Sequence, residues 1–332
     1  MSRFDSYDEY DMYEEEFSRN DRQARRKRKP QVQHKPKKSQ GQIVEEIADA
    51  AGLEAGFKTT YRPGLFEEGW LLDSLRGFYD QAYITDVLGL VKGGKEASVY
   101  RCEAHERLDD PLLAAKVYRP RMFRQLRNDK MYREGRKLLK ENGKAAKETD
   151  HRMMRAVNKK TGFGAQVEHT SWLMHEYTTL QKLYALGAAV PEPIAAAENA
   201  ILMSYCGDDG LAAPPLSEVK LPRNEVEPIF REVMRNIELM LQNGMIHGDL
   251  SAYNILYWDG GVTLIDFPQV TTSSGNSNAR MILERDLTRV CEYFSAQGMK
   301  CSAQDILRSF WRRYMARNPE EIKADLSRMI EE

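Results

Sequence analysis

"HGDLSAYNIL" (247–256) is the stretch on which the reading of this chain turns. A histidine is followed two residues later by Asp249, and Asn254 comes five residues after that. A second aspartate, Asp266, closes an apolar strand within "LIDFPQ" (264–269). Between them, "ILYW" and "VTLID" flank Asp259–Gly260–Gly261, a hairpin turn that would fold the two aspartates toward one place. Phosphoryl transfer needs a carboxylate beside the attacking oxygen and oxygen ligands for a metal that bridges phosphates. Asp249 suits the first role. Asn254 and Asp266 suit the second, since Mg²⁺ takes few protein oxygens and keeps its waters. The plainer alternative is an Asp/Asn turn followed by a buried aspartate. His247 reads as a brace for the loop.

Upstream residues decide between those readings. Lys116 sits inside the hydrophobic strand "LLAAKVYR" (112–119), where an ammonium costs desolvation unless it is paired. Glu176, between apolar neighbours in the helix "WLMHEYTTLQKLYALG" (172–187), is the best partner. "VKGGKEASVY" (91–100) reads as strand, Gly-Gly turn, strand. Its amides can approach phosphates because glycine tolerates positive φ. On its own, however, this is only a hairpin.

Working outward, strands occupy the first two-thirds and helices the rest, an α+β chain of two lobes joined near 203–210. Residues 1–42 read as a disordered charged tail, and 43–82 as a helical extension with helices at 43–53 and 65–81. The β-rich N-lobe spans 83–205, with a long flexible insertion at 120–170, and the helical C-lobe spans 206–332. In the C-lobe, Val226, Ile229, Phe230, Val233, Met234, Ile237, Met240 and Leu241 form one stripe, while Leu283, Leu287, Val290, Cys291 and Phe294 form another.

Composition narrows the class. The 332 residues are 42% hydrophobic and 30% charged with a net charge of -1, so nothing global calls for nucleic acid. Charge is nonetheless uneven. Residues 4–16 are acidic, whereas 22–38 carry nine Lys/Arg and no acid, a phosphate-seeking pattern if not a solvated tail. No long apolar run indicates a membrane span or secretory signal, and a cytoplasmic protein is expected. The four cysteines, Cys102, Cys206, Cys291 and Cys301, lack CxxC spacing and read as buried reduced thiols.

With these residues in place, the chain resembles the RIO family of atypical serine/threonine protein kinases, as a relative of bacterial type. The resemblance runs from about residue 84 to 295. It rests on "GGKEASVY", "AAKVYR", "WLMHEYTTL", "PEPI" (191–194), "LMSYCG" (202–207), "HGDLSAYNIL" and "LIDFPQ", and on "ERDL" (284–287) about twenty residues after Asp266. It implies a bilobal protein-kinase-like fold without an activation segment or substrate-binding subdomains. Asp249 would be the catalytic aspartate. Asn254 and Asp266 would hold Mg²⁺ (or Mn²⁺), and Lys116 with Glu176 would place the phosphates. Lys95, Ser98 and Val99 would line the phosphate loop, and Met203, Ser204 and Tyr205 the hinge beside adenine. The implied activity is ATP-dependent phosphorylation of protein, including autophosphorylation. Some members act instead as ATPases in small-subunit ribosome maturation, where the residue matching Asp266 becomes phosphorylated. The chain departs from the pattern at Gly93, Ser98 and Phe267–Pro268. Gly248 stands where protein kinases have arginine, which fits a chain with no activation-loop phosphate to recognise.

Two rivals remain. "HGDLxxxN" with "IDF" also suits small-molecule phosphotransferases of the aminoglycoside/choline-kinase type, although "GKEASVY" and the basic insertion count against them. An assembly factor using ATP as a slowly hydrolysed structural ligand is the other. In that case the basic tail (22–38) and insertion (124–160) would meet ribosomal RNA.

Overall fold

The computed structural model describes residues 59–315, apart from 95, 120–137, 148–149 and 160, all within one compact unit. The charged tail and the helix expected at 43–53 lie outside the described residues. Helix α1 (Leu65–Asp80) precedes three strands, β1 (Ile84–Lys92), β2 (Ala97–Ala104) and β3 (Leu112–Tyr118). After the insertion come helices α2 (His151–Asn158) and α3 (Gly162–Ala185), then β4 (Pro193–Ala196) and β5 (Ala200–Ser204). The five strands form one antiparallel sheet in the order β1-β2-β3-β5-β4.

The two-residue period of β3 sorts its side chains between the two faces of that sheet. Leu113, Ala115 and Val117 are buried with Leu71, Leu75 and Phe78 of α1. Tyr118 and, across the sheet, Ile201 are buried with Trp172, Leu173 and Met174 of α3. Lys116, two residues before Tyr118, therefore shares the α3 side. The helix read at 65–81 is thus a structural layer that closes one face of the sheet.

The α3 helix begins ten residues before Trp172, where the sequence reading starts it. Thr161 caps it, accepting from Gly164 N–H at 3.1 Å. A Cβ on Gly164 would lie 2.1 Å from the carbonyl oxygen of Ala156, so glycine lets α3 cross α2 at backbone contact. This packing outweighs the poor helix propensity of "TGFGAQ" and makes the end of the expected irregular insertion helical.

The C-lobe holds α4 (Arg223–Gln242), β6 (Met245–Ile246), the hairpin β7 (Ile255–Trp258) and β8 (Gly261–Leu264), β9 (Thr271–Thr272), α5 (Ala279–Ala296) and α6 (Ala303–Phe310). Asp259 and Gly260 both take positive φ, 47° and 75°, as a two-residue hairpin loop demands. The expected stripes on α4 and α5, Cys291 apart, form the main core, with Phe230 and Met234 only partly buried. Asn236 of α4 is fully buried and accepts from Ala189 N–H at 2.7 Å. Ala189 O in turn accepts from Leu264 N–H at 2.8 Å, so the connection from α3 is fastened to the C-lobe beside the Asp266 strand.

The cysteine reading needs correction. Cys291 and Cys301 form a disulfide, whereas Cys102 and Cys206 are free. The turn after α5 doubles back into α6 and brings the two Cα atoms to 5.4 Å, within ordinary disulfide range. Residue spacing alone does not reveal such a return.

Candidate active site

Lys116 is where the two lobes meet. Its Nζ lies 2.5 Å from Glu176 Oε1 and 2.6 Å from Asp266 Oδ1. Burial opposes its charge, but the two carboxylates outweigh that and hold the ammonium above the ordinary lysine range. Partial burial pushes the Asp266 carboxyl up. The Lys116 charge and hydrogen bond more than reverse this and hold it below the usual aspartate range. Glu176, 4% exposed, also accepts from the Tyr118 hydroxyl and from Phe267 N–H at 3.4 Å. Tyr118 is itself fixed edge-on to Trp172, with ring centroids 4.8 Å apart.

Asp266 has φ of 72°, a left-handed conformation uncommon outside glycine. Such strain gathers at sites whose surroundings over-determine the backbone. It turns the carboxylate out of the β8 line and toward Lys116.

The 247–256 loop is held from several directions. His247, 3% exposed, meets Ile265 O through Nε2 at 3.2 Å and accepts from Asp249 N–H through Nδ1 at 3.3 Å. Burial lowers its pKa, so it is a neutral brace carrying its proton on Nε2, as its two partners require. Asn254 donates to Asp249 O at 2.8 Å and stands 3.4 Å from Asp249 Oδ2. Gly248 has φ of 85°, and a Cβ there would lie 2.3 Å from Gln269 O. The absent arginine therefore has a stricter cause than the absent phosphate: the backbone excludes any side chain.

Three residues of α5 that sequence reasoning did not assign complete the loop. Asp286 accepts from Gly248 N–H at 2.8 Å, Arg285 donates to Gly248 O, and Arg289 Nη1 reaches Asp249 Oδ1 at 2.8 Å. Burial raises Asp286 to about 7, against the pull of the Gly248 N–H and Arg285. An acid inside the apolar stripe of α5 was the available signal, since a buried charge needs a partner.

The remaining expected residues divide. Val99 pairs with Lys116 across the β2–β3 ladder, and Ser98 is buried at 3% exposure. Lys95 lies outside the described residues. A Cβ on Gly94 would lie 2.6 Å from Ala97 O, so the turn beside it requires glycine. Met203 pairs with Ala114 at the end of β5. Ser204 N–H donates to Glu192 O and its hydroxyl oxygen accepts from Glu192 N–H, each at 2.9 Å. Tyr205 follows at the crossing between lobes.

The donor set fits a hard divalent cation. The Asn254 amide nitrogen is occupied by Asp249 O, leaving its oxygen, and the Asp266 carboxylate is 42% exposed with one oxygen on Lys116. Among the described residues, no group of three or more His, Cys, Asp or Glu forms a closed metal cage. An open site that relies on substrate phosphates and water for its other ligands suits Mg²⁺.

The family model described as RIO domain matches residues 100–306. The chain is 32% identical over 214 residues to the RIO-type serine/threonine-protein kinase Rio1 of Haloferax volcanii, covering 63% of each chain. It is 27% identical to serine/threonine-protein kinase RIO1 of Chaetomium thermophilum over 65% of this chain and 40% of that one. For the human serine/threonine-protein kinase RIO1 the values are 26% identity, 64% and 34%. The chain thus spans between about a third and just under two-thirds of the length of these relatives.

Proposed function

The chain belongs to the RIO family, and on that premise we propose that it transfers the γ-phosphoryl group of ATP to serine or threonine hydroxyls of protein. The observation that carries this is the double pairing of Lys116 with Glu176 and Asp266, beside a loop that presents Asp249 and Asn254. Lys116, buried and cationic, holds phosphate oxygens, while Glu176 fixes its position. Asp249 accepts the proton of the attacking hydroxyl as its oxygen bonds to the γ-phosphorus and the bond to the β-phosphate oxygen breaks. A magnesium ion held by Asn254 and Asp266 would offset phosphate charge. Adenine would lie against the hinge residues Met203, Ser204 and Tyr205, and the Gly93–Gly94 turn would cover the phosphates.

The test separates binding from transfer. With labelled ATP, Asp249→Ala should abolish label transfer while keeping Mg²⁺-dependent ATP binding, and Asp266→Ala should lose both. A wild-type protein that releases phosphate yet labels neither itself nor casein would establish the ATPase alternative. Rapid turnover on one aminoglycoside or sugar would instead favour the small-molecule reading.

The basic insertion supports a polyanionic partner such as ribosomal RNA. Lys144, Lys147, Arg152, Arg155 and Lys159 are exposed on the described part of the insertion, with Arg152 stacked over exposed Phe163 at 5.4 Å. Binding to small-subunit RNA should weaken steeply with salt. Binding that ignores salt, or survives neutralising those five residues, would count against it. No described helix is long and apolar enough to cross a membrane, which is compatible with the cytoplasm as the place of action.

A further inference from the structure

Arg289 has no role in the reading above. Its position on α5 follows from helix geometry: residues 285, 286 and 289 share a face, and all three meet Gly248 or Asp249. Arg285 and Asp286 hold backbone atoms. Of the three, only Arg289 reaches the carboxylate of Asp249. Among the described residues this is the single hydrogen bond or ion pair of its guanidinium, made through Nη1 at 2.8 Å.

Stability does not account for the pair. Both side chains are more than a third exposed, 39% for Arg289 and 37% for Asp249. Ion pairs so open to solvent contribute little to folding. What the contact does fix is direction. The terminal torsion of an aspartate is broad, so an unheld carboxylate swings. Arg289 takes Oδ1, and Oδ2 is left with only the long 3.4 Å approach of Asn254 Nδ2. The oxygen left to accept a proton is thereby selected. The guanidinium also places a cation beside Asp249 where Asp266 and incoming phosphates would otherwise crowd it with negative charge.

We propose that Arg289 is a positioning residue for phosphoryl transfer, orienting Asp249 so that Oδ2 faces the acceptor hydroxyl. The proposal rests on Asp249 being the base. It requires Arg289 to act on turnover and leave nucleotide binding alone, because Lys116, Glu176 and Asp266 do not touch it.

The experiment uses the full chain, labelled ATP, and self-labelling or casein as acceptor. Arg289→Ala should lower kcat by about 10²-fold, the scale of a misplaced reacting group. KM for ATP and the melting temperature should stay near wild type. Arg289→Lys should recover part of the loss, and added methylguanidine should restore Arg289→Ala saturably. In an Asp249→Asn background, Arg289→Ala should cost nothing further, since residues acting as a unit are not additive. Unchanged kcat in Arg289→Ala, a parallel rise in KM for ATP, failure of both lysine and methylguanidine to rescue, or full additivity would each overturn the proposal. Full turnover in Asp249→Asn alone would instead defeat the underlying assignment of the base.

Discussion

Gly248 and Gln269 approach so closely that a Cβ at position 248 would stand 2.3 Å from the Gln269 carbonyl oxygen and 3.0 Å from its carbon. The segment after Asp266 therefore runs directly against the loop that carries Asp249. Met245–Thr272 and Ile246–Thr271 pair on the same path. The positive φ at 248 adds a second constraint, because L side chains seldom adopt it. Gly248→Ala should cost roughly 1–3 kcal/mol from backbone strain alone, and more once Gln269 is displaced. Urea denaturation would measure this. The variant should also lose turnover, because Gly248 is where Asp286 and Arg285 grip the loop. A variant of wild-type stability and activity would show that the crossing is not constrained as described.

Tyr118 lends one of three donors to the buried Glu176 carboxylate. Tyr118→Phe preserves the ring packed on Trp172 but leaves Glu176 Oε2 short of its hydroxyl partner. Hydrogen bonds to buried charges are worth about 1–3 kcal/mol, so stability should fall by that order. A Glu176 less firmly held should also place Lys116 less well, raising KM for ATP several-fold with smaller change in kcat. An unchanged KM would confine Tyr118 to packing.

The legible part of this site was the part whose residues are chemically odd for their surroundings. A lysine in an apolar strand, a glutamate in an apolar helix face and the Asp249–Asn254 spacing each announced a partner, and the structure brings Lys116 to Glu176 and Asn254 to Asp249. Arg289 announced nothing, because an arginine on a helix is ordinarily a solvated charge. Asp286 was visible as a marker in "ERDL" but not as a hydrogen-bond acceptor, since its donor is a backbone amide 38 residues away. The start of α3 was hidden by Gly162 and Gly164, which lower helix propensity, while Gly164 permits contact with α2. Local preference speaks against a helix there, and only tertiary packing reverses it.

The Cys291–Cys301 bond ties the C-terminal half of α5 to the segment just before α6, ten residues on. Closing so short a loop stabilises by about 2–3 kcal/mol in the chain-entropy account. Without reductant, denatured protein should expose two titratable thiols, Cys102 and Cys206, and four after reduction. Reductant should lower the melting temperature by several degrees, and Cys291→Ser should do the same and then ignore reductant. Burial pushes Cys102 up to about 12 and also raises Cys206, so neither free thiol should react quickly in the native chain. Four thiols in unreduced denatured protein would mean that the bond does not form, as is usual where thiols are kept reduced.

Asp286 gives the fold a defined pH dependence. Burial lifts its carboxyl from the ordinary 3.8 to about 7. The folded chain therefore holds this proton more tightly than the unfolded chain does. Stability consequently falls as pH rises from about 4 to about 7, and the loss is complete above that range. Three pKa units correspond to at most about 4 kcal/mol. Asp286→Asn keeps an oxygen for the Gly248 N–H and removes the titration. Its stability relative to wild type should grow between pH 5 and pH 8, as read from urea midpoints at constant ionic strength. If the difference is flat with pH, Asp286 is ionised throughout, and Arg285 with the Gly248 amide compensates its burial in full.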